Sequence, residues 1–241
     1  MEVQAHAEPA RRPRQAVIIG DVGTLTADYR EAIEHMPRGA TLVIYEVDWD
    51  GYEHLLEQLG DRPGARVSYD CGRLEIMTPL PKHETFARFI DRLVYAYVEA
   101  KGQIVESYGG ATWKVRAKAK GVEPDACYYV ANAERVIGKD DITLESDPPP
   151  DLAVEIDISN ESLSKFPIYA ALGVPEIWRY DQHQVWFYAL TGSEYRDVPT
   201  SVSFQELTPA LVAQTLGQSK TKGQTVALRT FQERCRARQE P

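Results

Sequence analysis

The chain contains 241 residues, of which 43% are hydrophobic and 26% are charged, and its formal net charge is −9. This composition is typical of a globular protein large enough to bury a core without disulfides, and the acidic total argues against a protein that coats nucleic acid. Three cysteines without a C-x-x-C pair argue against a disulfide framework or a cysteine-based zinc site, and with no apolar run near the ~18 residues of a membrane span we expect a cytoplasmic protein with no membrane partner.

The first half of the chain predicts an extension followed by strands and two helices. Residues 1–40 carry early Pro and Arg and have little hydrophobic periodicity. Phe86, Phe89 and Leu93 recur at helical spacing in the strongest predicted helix, which Gly102 ends. We predict a strand over 41–47, a helix over 49–60, a hairpin over 65–70 and 73–77, and a helix over 83–102.

The second half predicts short strands around one short helix, followed by a helical tail. The patterns place strands at 103–108, 111–116, 125–130 and 151–159, a helix at 164–173, a hairpin at 175–181 and 184–190, and an edge strand at 194–198. The tail begins at about residue 205 and has a Gln/Ser/Lys/Gly-rich break at 217–224. This order predicts an α/β or α+β fold with a central mixed β-sheet flanked by helices.

The strand predicted over 151–159 has aliphatic side chains at alternate positions. Because strand side chains alternate between faces, Asp151, Glu155 and Asp157 share the other face. Such a concentration of negative charge is unfavourable unless water, cations or a metal offset it. The alternative is an ordinary half-exposed strand with a solvated acidic face.

Two further segments place reactive groups near this strand. Pro124 belongs at a strand entrance, which puts Asp125 at the start of the next strand, although a plain turn or cap residue is the alternative. Lys165 lies at the entry to the helix that follows the acidic strand, where its ammonium can reach back to the carboxylates. Its alternative is an ordinary surface lysine.

Together, these residues predict a site that can hydrolyse a phosphodiester. Carboxylates of Asp125 and Glu155, with the carbonyl oxygen of Ile156, can bind Mg²⁺ or Mn²⁺, and the ion can activate water. Lys165 can then hold that water and offset charge on the phosphate. A hydrolase of small phosphoesters is less favoured, since the chain has no Gly-rich phosphate loop.

A run of bases precedes Asp125 and predicts a surface for the nucleic-acid backbone. Lys114, Arg116, Lys118 and Lys120 stand at even positions with no acid between them. On a single strand they would all project from one face, where phosphates could bind.

Several motifs resemble one known family. The runs GRLEIMTPLPKHE, GVEPDACYYV and PPPDLAVEIDISNESLSKFPIYAALGVPEIWRYD, over roughly residues 45–200, resemble the Uma-two family of restriction endonucleases in the PD-(D/E)XK nuclease superfamily. The resemblance implies a restriction-endonuclease-like core, for which we take residues 41–204, between the extension (1–40) and the helical tail (205–241). It also implies Mg²⁺-dependent cleavage of DNA.

The resemblance assigns roles to individual positions. Asp125 matches the first acid of the superfamily and Glu155 the second, but Asp157 stands where the usual lysine is expected. The lysine is then Lys165, in a motif with Tyr169, Gly173 and Val174, and Asp157 becomes a further ligand or a supporting acid.

Two residues at the start of the long helix complete the expected site. Related nucleases place an acid from this helix near the metal, so His83 or Glu84 is expected to approach it. Helix capping is the alternative. Cutting both strands of a duplex needs two sites, so a homodimer is expected. The competing hypothesis is an inactive nuclease fold that acts as a binding or regulatory module in a mobile element or defence system.

Overall fold

A computed structural model describes residues 15–18, 33, 35–60, 64–158 and 162–237, with the backbone alone at 15–18, 162 and 163. The described residues form twelve strands: β1 (Gln15–Ile18), β2 (Thr41–Ile44), β3 (Arg66–Asp70), β4 (Arg73–Met77), β5 (Glu106–Ser107), β6 (Trp113–Val115), β7 (Lys120–Val122), β8 (Ala126–Tyr129), β9 (Leu152–Ile156), β10 (Glu176–Tyr180), β11 (Val185–Thr191) and β12 (Glu194–Val198). They also form six α-helices: α1 (Trp49–Leu59), α2 (Pro81–Lys101), α3 (Ala133–Val136), α4 (Phe166–Leu172), α5 (Pro209–Lys222) and α6 (Gln224–Ala237).

The strands assemble into two mixed sheets of six strands each. The N-terminal sheet has the order β1-β2-β4-β3-β7-β6, and the C-terminal sheet has the order β12-β11-β10-β9-β8-β5. The mixed α/β class is therefore confirmed, but two sheets replace the single central sheet that the sequence predicted. Element order could not separate them, because β6 and β7 of one sheet lie in the chain between β5 and β8 of the other.

Both faces of the C-terminal sheet are covered. Leu152, Val154 and Ile156 of β9 pack into a core with α2, α5 and α6, whereas Ala153 packs with α4, β6 and β7. Every residue of β9 is buried. The solvated acidic face considered from the sequence is therefore wrong, since a strand between two packed layers has no solvent face.

The N-terminal sheet packs against α1. Tyr52 and Leu55 of α1 contact the buried side of the β3–β4 hairpin, and Ile33 joins this core. The hairpin closes through Cys71 (φ 47°) and Gly72 (φ 96°), two positive φ values that a tight two-residue turn requires. The predicted helix and hairpin are confirmed. The predicted extension over 1–40 lies largely outside the described residues, but its β1 pairs in parallel with β2.

The long helix predicted over 83–102 is also confirmed. It begins two residues earlier than predicted, because Pro81 is well placed in a first helical turn, and Gly102 ends it in a left-handed conformation (φ 65°).

The last two helices belong to the larger core. Phe231 of α6 is buried against α2, and Val212 and Leu216 of α5 are buried in the same core, where α5 contacts α6 and β11. The break predicted over 217–224 is wrong in extent: α5 continues to Lys222, and only Gly223 (φ 88°) separates the helices. The described helices include none that is both long enough and apolar enough to cross a membrane.

Candidate active site

Asp125 is tied to β9 by two hydrogen bonds. Strands β8 and β9 are antiparallel, and Asp125 immediately precedes β8. Its amide donates to the carbonyl oxygen of Val154 (3.0 Å), and its Oδ2 accepts from the amide of Ile156 (2.8 Å). These bonds hold the Asp125 carboxylate beside the Glu155 peptide segment, as expected for carboxylates on adjacent strands.

Glu155 projects from β9 into a buried ion pair. Its side chain is 2% exposed, and Nζ of Lys165 lies 2.8 Å from its Oε2. The hydroxyl of Tyr169 donates to the other carboxylate oxygen, Oε1. Lys165 ends a 3-10 turn that leads into α4, and Tyr169 lies in α4. The structure thus brings Glu155, Lys165 and Tyr169 together, and the Lys165 ammonium points inward.

Burial and neighbouring charges shift the pKa values of Asp125 and Glu155 in opposite directions. Burial raises the pKa of Glu155 to about 7, with a further contribution from Asp125, although Lys165 and Tyr169 act in the opposite direction. Burial would also raise the pKa of Asp125, but His83, Lys165 and the Ile156 amide outweigh it and lower the value. Glu155 is therefore the carboxylate that takes up a proton more readily.

Lys165 remains a cation in this setting. Burial alone would lower its pKa, but the carboxylates of Glu155 and Asp125 outweigh burial and raise the value. A buried ammonium beside two acids keeps the site close to charge balance.

Of the two helix residues expected near the site, His83 faces Asp125 directly. His83 is 2% exposed, its Nδ1 lies 3.8 Å from Oδ1 of Asp125, and neither ring nitrogen has a hydrogen-bond partner among the residues that the structure describes. Glu84 is exposed and forms an ion pair with Arg88 (2.5 Å). The N-cap of α2 is Leu80 and has no side-chain hydrogen bond, so His83 does not act as its cap.

A cavity of about 270 Å³ opens the site at Asp125. Its lining includes Arg66, Glu84, Arg88, Asp91, Gly110 and Asp125. Sequence reasoning missed Arg66, because a single arginine at the start of a strand forms no pattern. A Cβ on Gly110 would lie 3.0 Å from the Arg66 guanidinium and from the Pro124 carbonyl oxygen, which is tighter than most Cβ contacts, so glycine favours this close approach.

Comparison with known proteins places the chain in a family. Residues 49–219, well over half of the chain, match the model of the Uma2 family, which is described as "Putative restriction endonuclease". The chain belongs to the Uma2 family. No curated protein matches it.

Among solved structures, one similar chain is described as a "putative nuclease belonging to DUF820" from Anabaena variabilis. The two share 18% sequence identity with a TM-score of 0.47, over 68% of this chain and 97% of that one. No chemistry follows from a likeness at this level.

The two other acids of the predicted acidic strand, Asp151 and Asp157, have partners outside the candidate active site. Asp151, on the same face of β9 by sequence, accepts hydrogen bonds from the amides of Val130 (2.7 Å) and Asn132 (2.9 Å) and thereby fixes a loop. Asp157 forms an ion pair with Arg179, whose guanidinium lies 4.8 Å from the centre of the Trp186 ring. The described residues contain no group of three or more His, Cys, Asp or Glu side chains that could hold a metal ion.

The basic stretch differs from its predicted geometry. The four bases do not lie on one strand, because β6 ends at Val115 and a 3-10 turn over Arg116–Lys118 intervenes before β7. A left-handed residue, Ala119 (φ 48°), turns the chain there.

Each of these bases also has a partner within the protein. Lys114 and Arg116 pair with Glu53 (3.0 and 2.9 Å), Lys118 donates to the Ala171 carbonyl oxygen (2.6 Å), and Lys120 pairs with Asp70. Their expected role in DNA binding stays a prediction, and these pairings weigh against it.

Proposed function

We propose that this Uma2 chain is a DNA endonuclease that depends on a divalent metal and uses Asp125, Glu155 and Lys165. One observation carries the proposal: the Lys165 ammonium is buried 2.8 Å from the Glu155 carboxylate, and Asp125 is close enough to raise the pKa of Glu155. Burying three charged groups in one place is unfavourable for stability alone, so such a cluster is typical of a functional site.

The donor set fits a hard cation such as Mg²⁺ or Mn²⁺. Two carboxylate oxygens and a backbone carbonyl are ligands that such ions prefer, and the unpartnered ring nitrogens of His83 beside Asp125 leave a polar group for a bound water. Asp125, Glu155 and the carbonyl oxygen of Ile156 would hold the ion. When bound, the ion would lower the pKa of a water and offset charge on the phosphate.

The protein's own groups prepare the site for that charge. Lys165 stays protonated and stabilises the ionised form of Glu155, and Tyr169 fixes the same carboxylate through its hydroxyl. Lys165 would also position water near a phosphate oxygen, since an ammonium has three donors and Glu155 engages one. Asp157 stays with Arg179, so its expected part in metal binding is secondary.

The cavity beside Asp125 gives a phosphate access to these groups. The Arg66 guanidinium lines it, and a planar guanidinium binds phosphate oxygens in a fork. Family membership supports DNA as the substrate class. We further propose a homodimer, because cutting both strands of a duplex requires two sites.

One observation favours an inactive binding module instead. Both oxygens of Glu155 already have partners, Lys165 and Tyr169, and this closed arrangement would be stable in a fold that no longer binds metal. The two functions predict different results in one assay.

The test is nicking of supercoiled plasmid with Mg²⁺ or Mn²⁺, together with calorimetric metal titration. We expect Asp125→Asn and Glu155→Gln to lose activity by at least about a hundredfold and to lose metal binding. Glu194→Gln, an exposed acid on β12 that removes the same charge, is the matched control. Cleavage that persists in Asp125→Asn contradicts the proposal, and DNA binding without metal binding or cleavage favours the inactive module.

Light scattering in solution tests the dimer separately. A mass near twice 27.1 kDa supports it, and a monomer that converts supercoiled plasmid directly to linear DNA contradicts it.

A further inference from the structure

Two lysines lie in the region where the end of α5 approaches the first turns of α2. Lys82 lies in the first turn of α2 and Lys220 in the last turn of α5. The Lys220 ammonium donates to the Gln182 carbonyl oxygen (2.5 Å) and lies 5.1 Å from the centre of the Phe86 ring. Neither lysine forms a salt bridge with any residue that the structure describes.

The charges around this pair compensate it only in part. Burial and the charge of Lys82 lower the pKa of Lys220, and nearby Asp181 offsets this only in part. The Asp181 carboxylate accepts hydrogen bonds from the amides of His183 (2.9 Å) and Gln184 (2.8 Å), which hold it in the β10–β11 turn. Like charges repel, and an anion bound between two ammonium groups offsets that repulsion.

The pair lies beside the candidate active site. Lys220 contacts the ring of Tyr180, which is aligned with Ile156 in the parallel pairing of β10 and β9. Lys82 directly precedes His83, the residue that faces Asp125. An anion at the lysine pair would therefore be close to the Asp125 cavity without entering it.

Further bases continue from the pair along the corner between α5 and α6. Lys222 is exposed at the end of α5, and the Arg92 guanidinium contacts the side chain of Gln224 at the start of α6 (3.4 Å). Lys114, Arg116 and Lys120 differ from these bases because each of them pairs with an acid, whereas Lys220, like Lys118, donates only to a backbone carbonyl oxygen.

We propose that Lys82 and Lys220 together bind a phosphate of the DNA backbone next to the phosphate that is cleaved. The proposal rests on the proposed function and adds one point of contact between the protein and its DNA substrate. The competing role is structural: a lysine in the last turn of α5 stabilises the negative end of the helix dipole without any ligand.

The test is fluorescence anisotropy of a labelled DNA duplex titrated with the full chain in EDTA, so that binding is measured without cleavage. Each neutralised phosphate contact contributes about 0.9 to the slope of log K against log salt concentration. We expect Lys82→Gln and Lys220→Gln each to weaken binding severalfold and to reduce this slope by about 0.9. Lys139→Gln removes the same charge from a residue paired with Asp147 and is expected to leave the slope unchanged.

Lys220→Arg keeps the charge and should retain affinity, whereas Lys220→Gln separates the two roles, because a purely structural lysine would lower the melting temperature and leave the slope unchanged. Thermal melting of each variant reports folding, and Lys82, exposed on α2, provides the test if Lys220→Gln unfolds. Slopes equal to that of the wild type in both lysine variants overturn the proposal, even when the wild type nicks plasmid. Slopes that fall as expected, without any metal-dependent nicking, retain the binding site and overturn only the nuclease assignment. A wild-type chain that binds no duplex overturns both.

Discussion

Asp125 and Glu155 both carry a carboxylate, but their surroundings shift its pKa in opposite directions. The Ile156 amide, His83 and Lys165 favour the ionised form of Asp125, whereas burial inside the sheet favours the neutral form of Glu155. Two carboxylates with separated pKa values can take different roles, one held ionised and the other able to exchange a proton near neutral pH.

This difference predicts a pH dependence of stability. The folded pKa of Glu155 is raised from 4.5 to about 7, so the folded state binds this proton more tightly than the unfolded state. The contribution of Glu155 to the free energy of unfolding therefore rises as pH falls from about 7 towards 4.5. Urea denaturation of wild type and Glu155→Gln in EDTA measures it, since the wild-type curve should show this rise and the variant should lack it. Parallel curves contradict the assigned pKa.

The sequence predicted which charged residues of the candidate active site lie close together, but it did not predict the contacts that other elements make with them. Asp125, Glu155 and Lys165 could be selected because period-two alternation and a following helix restrict where their side chains point. The Tyr169 hydroxyl on Glu155 and the Arg66 guanidinium over Gly110 could not, because each depends on how α4 and β3 pack against other elements.

Between elements, β7 and α1 approach more closely than ordinary packing allows for any residue but glycine. A Cβ on Gly121 would lie 2.6 Å from Cζ of Tyr52. The Tyr52 ring cannot move aside, because it is fully buried and stacks on Tyr69 with ring centres 4.8 Å apart. This contact fixes the distance between the N-terminal sheet and its helix.

We therefore expect Gly121→Ala to lower the free energy of unfolding by about 1–3 kcal/mol. The matched control is Gly217→Ala in α5, where a Cβ meets nothing within 4 Å. That substitution should raise stability by about 0.5–1 kcal/mol, since alanine loses less backbone entropy in a helix. Chemical denaturation measures both, and a neutral Gly121→Ala contradicts the packing argument.

The prediction that residues 114–120 form a single strand with its four bases on one face was wrong. Alternation along a strand was assumed over the whole stretch, but a left-handed Ala119 and a 3-10 turn divide it into two strands. Short strands are difficult to bound from sequence, because three residues carry too little periodicity to distinguish a strand from a turn.

Across the whole molecule, the C-terminal helices are part of the core that supports the candidate active site. Helix α6 contacts α2, and α2 carries His83 towards Asp125. The sequence predicted a helical tail over residues 205–241, but it could not show that α6 packs against α2, because the two helices lie more than a hundred residues apart in the chain.

This packing predicts that Phe231→Ala destabilises the whole protein. Phe231 is 1% exposed in the core shared with α2, and removing a buried aromatic ring costs about 3–5 kcal/mol. Val226→Ala, at a 46% exposed position of the same helix, should change stability by less than about 0.5 kcal/mol. A single cooperative unfolding transition is expected for both variants by circular dichroism. Separate loss of the α6 signal in Phe231→Ala contradicts a shared core.

The contact of Arg179 with both Asp157 and Trp186 gives the protein an internal optical reporter. Trp186 is half-buried on β11 opposite Arg179 of β10, which is itself aligned with Glu155 of β9, whereas Trp178 is enclosed in the core. A ligand that draws Asp157 away from Arg179 changes the charge above one indole ring and leaves the other unaffected. Intrinsic fluorescence, compared between wild type and Trp186→Phe, can therefore follow occupation of the site without a label.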